Sequence, residues 1–277
     1  MLQLNKQDST EDIMKTKYGN WMPVEYGIAA SALAGACLGA DIVLRIKERG
    51  QDKTILSHCA HAALLTGAAV SAAGAAYCFT AHSKFSYNGD RQLARQVTEG
   101  LAQYIDLPND GLALDVGCGS GALAIECAKR NPSATVLGVD TWGPQYLAYS
   151  KKVCERNAEA EGVTNVRFEK GNALHLEYPD ETFDAVMSNY VYHNIPSDDR
   201  QAILRETLRV LKKGGTFAIH DLMSEKRYGD MELFAQLLRD EGYERVELID
   251  TTDGMFMDRR EAAMLMLKGS VLLTGTK

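Results

Sequence analysis

No two of the six cysteines stand in a Cys-x-x-Cys pair, so the chain offers neither the ligand spacing of a zinc site nor a disulfide framework. Three of them, Cys37, Cys59 and Cys78, lie in or beside apolar segments, and no metal site is expected. Basic runs are equally scarce. None is longer than a pair such as Lys151-Lys152 or Lys212-Lys213, and the formal net charge is -7, which removes the electrostatic footprint that nucleic-acid binding needs. Internal repeats and low-complexity linkers are also missing. A secretory signal is not expected either, because the first apolar run starts late and the residues ahead of it mix acids with bases.

What stands out instead is Leu114-Asp115-Val116-Gly117-Cys118-Gly119-Ser120-Gly121, in which three alternating glycines connect an apolar strand to a helix. Leu112-Ala113-Leu114 reads as the strand. Ala122-Leu123-Ala124-Ile125 opens a helical pattern that runs towards Lys129 and stops before Pro132. Glycine at every second position permits positive φ and lets a ligand approach where a Cβ would block it. The dinucleotide fingerprint requires G-x-G-x-x-G, and this loop runs Gly117-x-Gly119-x-Gly121 with Asp115 ahead of it, which argues against NAD.

The pattern Asp115-x-Gly117-x-Gly119-x-Gly121 resembles the signature loop of class I S-adenosylmethionine-dependent methyltransferases. Downstream segments match as well. Thr135 to Asp140 ends a second strand on an acid, as expected of a ribose-binding carboxylate. Asn165 to Phe168 leads into Gly171-Asn172-Ala173, which is similar to the family's Gly-Asp-Ala segment at the adenine, with Asn172 replacing the usual Asp. Phe183 to Asn189 reads as strand four, and Leu211-Lys212-Lys213-Gly214-Gly215 as a helix end before a fifth strand, Thr216 to Ile219. The resemblance implies S-adenosylmethionine as cofactor and a contact set of Asp115, Gly117, Cys118, Gly119, Gly121, Asp140, Thr141, Trp142, Asn172, Ala173 and Asn189. Trp142 is weighed as a face against adenine or as an anchor for the next helix.

Helices are expected over Arg91 to Ile105, Pro144 to Gly162, Ser197 to Lys213 and Asp230 to Gly242, the last three closing on glycine. Strands continue with Arg245 to Asp250 and Ser270 to Thr274. The alternation implies an α/β, Rossmann-like doubly wound sheet. Seven strands with an antiparallel last one are carried over from the resemblance.

Methyl transfer is a direct displacement and needs a general base only when the acceptor must lose a proton. Candidates stand where strands four and five end: Tyr190, Tyr192 and His193, then His220-Asp221. His193 is the first choice and Tyr192 the second, although a histidine at a strand end often only bonds a neighbouring carbonyl. Of Tyr190 and Tyr192, one faces the acceptor and the other packs inward. Asn189 to Ile195 resembles the segment after strand four in the ubiquinone and menaquinone C-methylating group. Asp253 to Met257 is a candidate apolar wall for the acceptor.

Ahead of this region, residues 26–44 and 62–81 are rich in Ala, Gly, Ser and Cys. The second is long enough to cross a bilayer, which takes about 20 apolar residues. Asp41 compromises the first. Gly35 with Gly39, and Gly67 with Ser71, are spaced four apart, as in closely packed transmembrane pairs. A membrane hairpin over residues 1–83 followed by a catalytic domain over 84–277 is therefore expected. Its cytoplasmic orientation is opposed by Arg45, Lys47, Arg49 and Lys53 in the intervening loop. The rival is a soluble, cytoplasmic helical extension packed on the catalytic domain or on a second copy. Tyr87 is read either as a flap over the cofactor's methionine end or as a headgroup anchor.

Together these features imply a methyltransferase with a small or lipid-like acceptor, associated with the membrane and facing the cytoplasm. A non-catalytic sensor of the methyl donor or a membrane scaffold, and an NAD-dependent oxidoreductase, are the alternatives. Oligomeric state is left open.

Overall fold

A computed structural model describes residues 16–50, 52, 54–143 and 148–277. The chain divides into two compact units. One comprises Asn20–Ala94, and the other joins the described residues up to Gly19 to Arg95–Lys277. The first unit is thus inserted, in chain order, into the second. The second unit resumes at Arg95, against an expected start at residue 84, and it also takes in the short described segment before the hairpin.

Within the inserted unit, helix α1 (Val24–Lys47) and helix α2 (Ile55–Phe85) pack against each other. Their buried positions recur every seven residues, Gly27, Ala34 and Asp41 on α1 and His61, Ala68 and Ala75 on α2, the repeat that keeps one seam facing a partner helix. Small residues on that seam let the helices approach. A Cβ at Gly27 would lie 2.8 Å from the Phe79 ring. Gly67 plays the expected role against Cys37, whereas Gly35 and Gly39 have nothing within 4 Å and point away from the seam. The glycine spacing in α1 therefore marks the wrong face; a four-residue spacing does not say which side of a helix meets its partner.

Asp41 is not left as an isolated charge in an apolar helix. Its Oδ2 lies 2.6 Å from Arg45 Nε and its Oδ1 2.5 Å from His61 Nδ1. His61 Nε2 in turn reaches Glu48 Oε2 at 3.0 Å, which also accepts from Ser57 Oγ at 2.7 Å. Outside the seam the surface is apolar, with Ile28, Leu33, Leu38, Ile42, Leu65 and Val70 exposed. Both helices are long and apolar enough to cross a membrane, by length and composition.

The other unit, which holds the expected catalytic domain and is called the catalytic unit below, is built on a seven-stranded sheet: β1 (Leu112–Val116), β2 (Thr135–Asp140), β3 (Val166–Lys170), β4 (Phe183–Asn189), β5 (Leu211–Leu222), β6 (Arg245–Asp250) and β7 (Ser270–Thr276). The order is β3-β2-β1-β4-β5-β7-β6, with β7 antiparallel to both neighbours and all other pairs parallel. Helices α3 (Leu93–Ala102), α4 (Ala122–Arg130), α5 (Lys151–Ala160), α6 (Arg200–Arg209), α7 (Glu225–Tyr228), α8 (Met231–Asp240) and α9 (Arg259–Met264) flank it. Alternate strand residues, among them Leu114, Val116, Val186, Phe217 and Ile219, bury one face in a core shared with Ile203 and Leu204 of α6 and Phe234 and Leu238 of α8. Strand order reverses between β1 and β4, which sets a crevice at their carboxyl ends.

Helices α3, α5 and α6 are shorter than the sequence suggests, α3 spanning Leu93–Ala102 of the expected Arg91 to Ile105. Helix α5 begins at the Ser150 cap, whose hydroxyl accepts from Val153 N; of the expected start at Pro144, residues 144–147 lie outside the described residues. Helix α6 ends at Arg209, because Leu211 already pairs with Phe183 as the start of β5. Gly214, at φ 76°, serves the bulge that carries the pairing on to Thr216 rather than a helix cap.

Candidate active site

At the crevice, the loop after β1 takes φ of 77° at Gly117, 55° at Gly119 and 84° at Gly121, values that glycine adopts freely and other residues do not. Gly117 N and Cys118 N donate to Val139 O, and Gly121 N closes the turn on Cys118 O. Asp140, ending β2, grips the loop from the side. Its Oδ2 accepts from Gly119 N at 2.9 Å and its Oδ1 from Trp142 N at 2.7 Å. Each oxygen keeps a further lone pair for a ligand hydroxyl. Trp142 Nε1 donates to Gly119 O at 2.9 Å, and Cys154 Sγ approaches the same carbonyl at 3.2 Å. Trp142 is thereby fixed on the loop. Thr141 is exposed beside it, and Cys118 is a small buried filler whose thiol burial pushes well above its usual range.

Asp115 is only 1% exposed, and its Oδ2 has no hydrogen-bond partner among the described residues. Burial raises its carboxyl to about 8, against a lowering contribution from the Ala124 backbone N–H. A buried polar atom left without a partner in this way calls for one. A cationic ligand would supply its missing partner. Farther along the sheet edge, Asn172 Oδ1 accepts from Leu174 N at 3.0 Å and Ala173 is buried beside it. These features fit S-adenosylmethionine: a glycine cradle, a carboxylate with spare acceptor capacity and a buried acid with one oxygen unpartnered among the described residues.

Where β4 ends, Tyr190 takes φ 55° and the chain turns through the 3-10 segment Tyr192–Asn194. Val191 seals this turn to the cofactor loop; a Cβ at Gly117 would meet its Cγ1 at 2.4 Å. The turn presents His193, whose Nδ1 lies 2.5 Å from Asp221 Oδ1 at the end of β5. Asp221 Oδ2 also accepts from Tyr192 N and His193 N, and Leu222 N donates to its Oδ1. Burial pulls the Asp221 carboxyl upward, but the bonds from His193 and these backbone groups hold it below the ordinary range.

Tyr192 is not part of this site. It is fully buried in the core, with its hydroxyl 2.8 Å from Thr207 Oγ1 of α6, and burial drives its acidity well below that of a free phenol. Tyr190 is the one at the crevice, its hydroxyl 2.6 Å from Ser270 Oγ and its ring 4.4 Å from His220. His220 is completely buried between Asn189 Oδ1 and Thr251 Oγ1, both at 2.9 Å, and desolvation lowers it to about 3. It is a neutral spacer that orients Asn189. The Phe256 ring closes on its other side at 5.7 Å.

Sequence reasoning named both His193 and Asp221 among its candidates and did not pair them. His220 and Asp221 are neighbours in one strand and face opposite sides: His220 meets Asn189 and Tyr190, and Asp221 meets Tyr192 and His193.

Residues 113–215 match the model of a methyltransferase domain family. The chain is 31% identical over 147 residues to 27-O-demethylrifamycin SV methyltransferase of Amycolatopsis mediterranei, covering 53% of this chain and 52% of that one. It is 36% identical over 108 residues to demethylmenaquinone methyltransferase of Lactobacillus johnsonii, covering 39% and 42%. The chain spans about half the length of the curated relatives it matches. Among solved structures, the [4+2]-cyclase SpnF superposes with a TM-score of 0.52 at 22% identity, over 68% of this chain and 82% of that one, a likeness of fold. With the glycine loop, Asp140 and the strand order, these matches identify residues 113–215 as the core of a class I S-adenosylmethionine-dependent methyltransferase domain.

Proposed function

We propose that the chain moves a methyl group from S-adenosylmethionine to a small, lipid-like acceptor, with His193 as general base and Asp221 as its positioning residue. The observation that carries this reading is the 2.5 Å contact between His193 Nδ1 and Asp221 Oδ1 beside the cofactor loop. When bound, the cofactor supplies a methyl group on a sulfonium, which a nucleophile takes by in-line displacement. Asp140 holds the ribose hydroxyls, Asn172 the adenine edge, and Asp115 the cationic methionine end. Asp221 accepts the Nδ1 proton of His193 and so leaves the lone pair on Nε2. Nε2 takes the proton that an acceptor hydroxyl or carbon acid loses as its bond to the methyl carbon forms. Tyr190 and Phe256 supply aromatic walls on the acceptor side.

The inserted helical unit supports seating at a bilayer. Its outward face is apolar, while its charged residues near the loop, Asp41, Arg45, Glu48 and His61, satisfy one another. Intramembrane charges persist where they are paired in this way. On this reading the catalytic unit faces the cytoplasm and takes its acceptor from the lipid phase. The relatives named for quinone and sterol methylation support an acceptor of that class. The test is transfer by the parent and by His193→Ala: base catalysis requires the variant to lose turnover while binding S-adenosylmethionine normally. A variant that transfers at the parent rate removes His193 from the mechanism.

A further inference from the structure

The cofactor loop is gripped from a direction that its own motif does not explain. Asn157, on α5 and 1% exposed, makes three hydrogen bonds that reach across the catalytic unit. Its Oδ1 accepts from Lys17 N at 2.6 Å, and its Nδ2 donates to Lys17 O at 3.2 Å and to Ser120 O at 2.9 Å. Exchanging the amide oxygen and nitrogen would turn one donor and two acceptors against like groups, so this orientation is fixed by its partners. Ser120, between Gly119 and Gly121, then donates its hydroxyl to Tyr18 O at 2.8 Å. Tyr18 is buried, and its own hydroxyl donates to Glu161 Oε1 at 2.8 Å. Residues more than 100 positions apart are thus bonded through the middle of the glycine loop.

Gly19 completes the arrangement. At φ 76° it brings the backbone onto Tyr149, so that a Cβ there would lie 2.7 Å from Tyr149 Cε1. The opposite edge of the same ring faces Gly119, where a Cβ would lie 3.8 Å from Cδ2. The Tyr149 ring is therefore held between a glycine of the N-terminal segment and a glycine of the cofactor loop.

We propose that Lys17–Gly19 is a strap that preorganises the S-adenosylmethionine loop, with Asn157, Ser120 and Tyr149 as the positioning residues through which it acts. Three glycines give the loop many conformations when free, and ordering them on binding costs affinity. The strap supplies that ordering in advance, by a backbone clamp at Ser120 and a ring packed on Gly119. Its effect falls on cofactor affinity rather than on the chemical step. The assignment stands on the cofactor alone and is independent of whether a methyl group is transferred, and to what.

The test is calorimetric binding of S-adenosylmethionine and S-adenosylhomocysteine to the full-length protein in detergent, with the melting temperature of the cofactor-free protein measured alongside. Gly19→Val places a branched Cβ against Tyr149 at a strained positive φ, so its cofactor-free melting temperature falls, and it is expected to weaken both ligands about tenfold or more. Tyr149→Ala is expected to weaken them similarly. In the double variant the losses do not multiply, because both act through one contact. Should Gly19→Val fail to fold, Ser120→Ala removes only the hydroxyl bond to Tyr18 O and is expected to weaken both ligands about threefold or more, within the range of one lost hydrogen bond. Parent-like affinity in either folded single strap variant, or losses that multiply in the double variant, overturns the proposal.

Discussion

His193, in the turn after β4, and Asp221, near the end of β5, meet at 2.5 Å, Nδ1 to Oδ1, because β4 and β5 pair side by side. Three backbone N–H groups fix the carboxylate before the imidazole reaches it. Asp221→Asn keeps the shape and removes the charge that selects the Nδ1–H tautomer. It is expected to lower turnover by about 10²- to 10⁴-fold, the usual weight of a general base, while S-adenosylmethionine affinity stays within about twofold of the parent, since the bond lost lies outside the proposed cofactor contacts. An equal loss in both quantities removes the positioning role.

Asp140 has two duties, holding Gly119 N and Trp142 N and, as proposed, the ribose. Asp140→Ala removes all of these and is expected to weaken cofactor binding by about 100-fold or more, given the weight of hydrogen bonds to a charged group. Calorimetry decides: unchanged affinity removes the ribose assignment.

Burial holds His220 neutral down to about pH 3, whereas an unfolded histidine takes up its proton near pH 6.5. Between these values the unfolded chain binds one more proton, so this residue makes stability rise with pH across that window and leaves it flat above. His220→Gln lacks the titration. The melting-temperature difference, parent minus variant, is expected to be larger at pH 7 than at pH 4.5. A difference that stays constant or shrinks shows that His220 is protonated in the fold.

The pairing of Asp41 with Arg45 and His61 gives the helical unit its own prediction. His61→Leu leaves the buried acid with one partner fewer and is expected to lower the melting temperature of the full-length protein in detergent by several degrees. Adding Asp41→Leu is expected to recover part of the loss, because removing both partners of a buried pair costs less than removing one. No recovery in the double variant shows that the cluster does not act as a pair.

Much of the sheet was legible in the sequence because the central strands β1, β2 and β4 are short and largely apolar. Asp115, the three glycines and Asp140 follow from one motif and its spacing. Tyr192 and His193 could not be separated in the same way: both follow β4, and only the 3-10 turn sends the tyrosine onto Thr207 and the histidine onto Asp221. The helix expected through Lys213 was misread because Leu211 to Gly215 is apolar, then basic, then glycine, a helix ending by composition that the pairing of Leu211 with Phe183 overrides. The strap was invisible. Its bonds run through backbone atoms of Lys17 and Tyr18, which carry no side-chain pattern. The likeness of fold to a [4+2]-cyclase adds a reason to measure the reaction itself, since the same sheet serves other chemistry.

The most direct measurement is methyl transfer from labelled S-adenosylmethionine by the full-length protein in a whole-cell extract, partitioned into organic, aqueous and precipitated-protein fractions. Label that accumulates in the organic fraction with the parent, and falls to background with His193→Ala, is the expected result. Label confined to water or protein rules out a lipid-like acceptor. No label in any fraction from a protein that still binds the cofactor would make the domain a sensor of the methyl donor rather than a transferase.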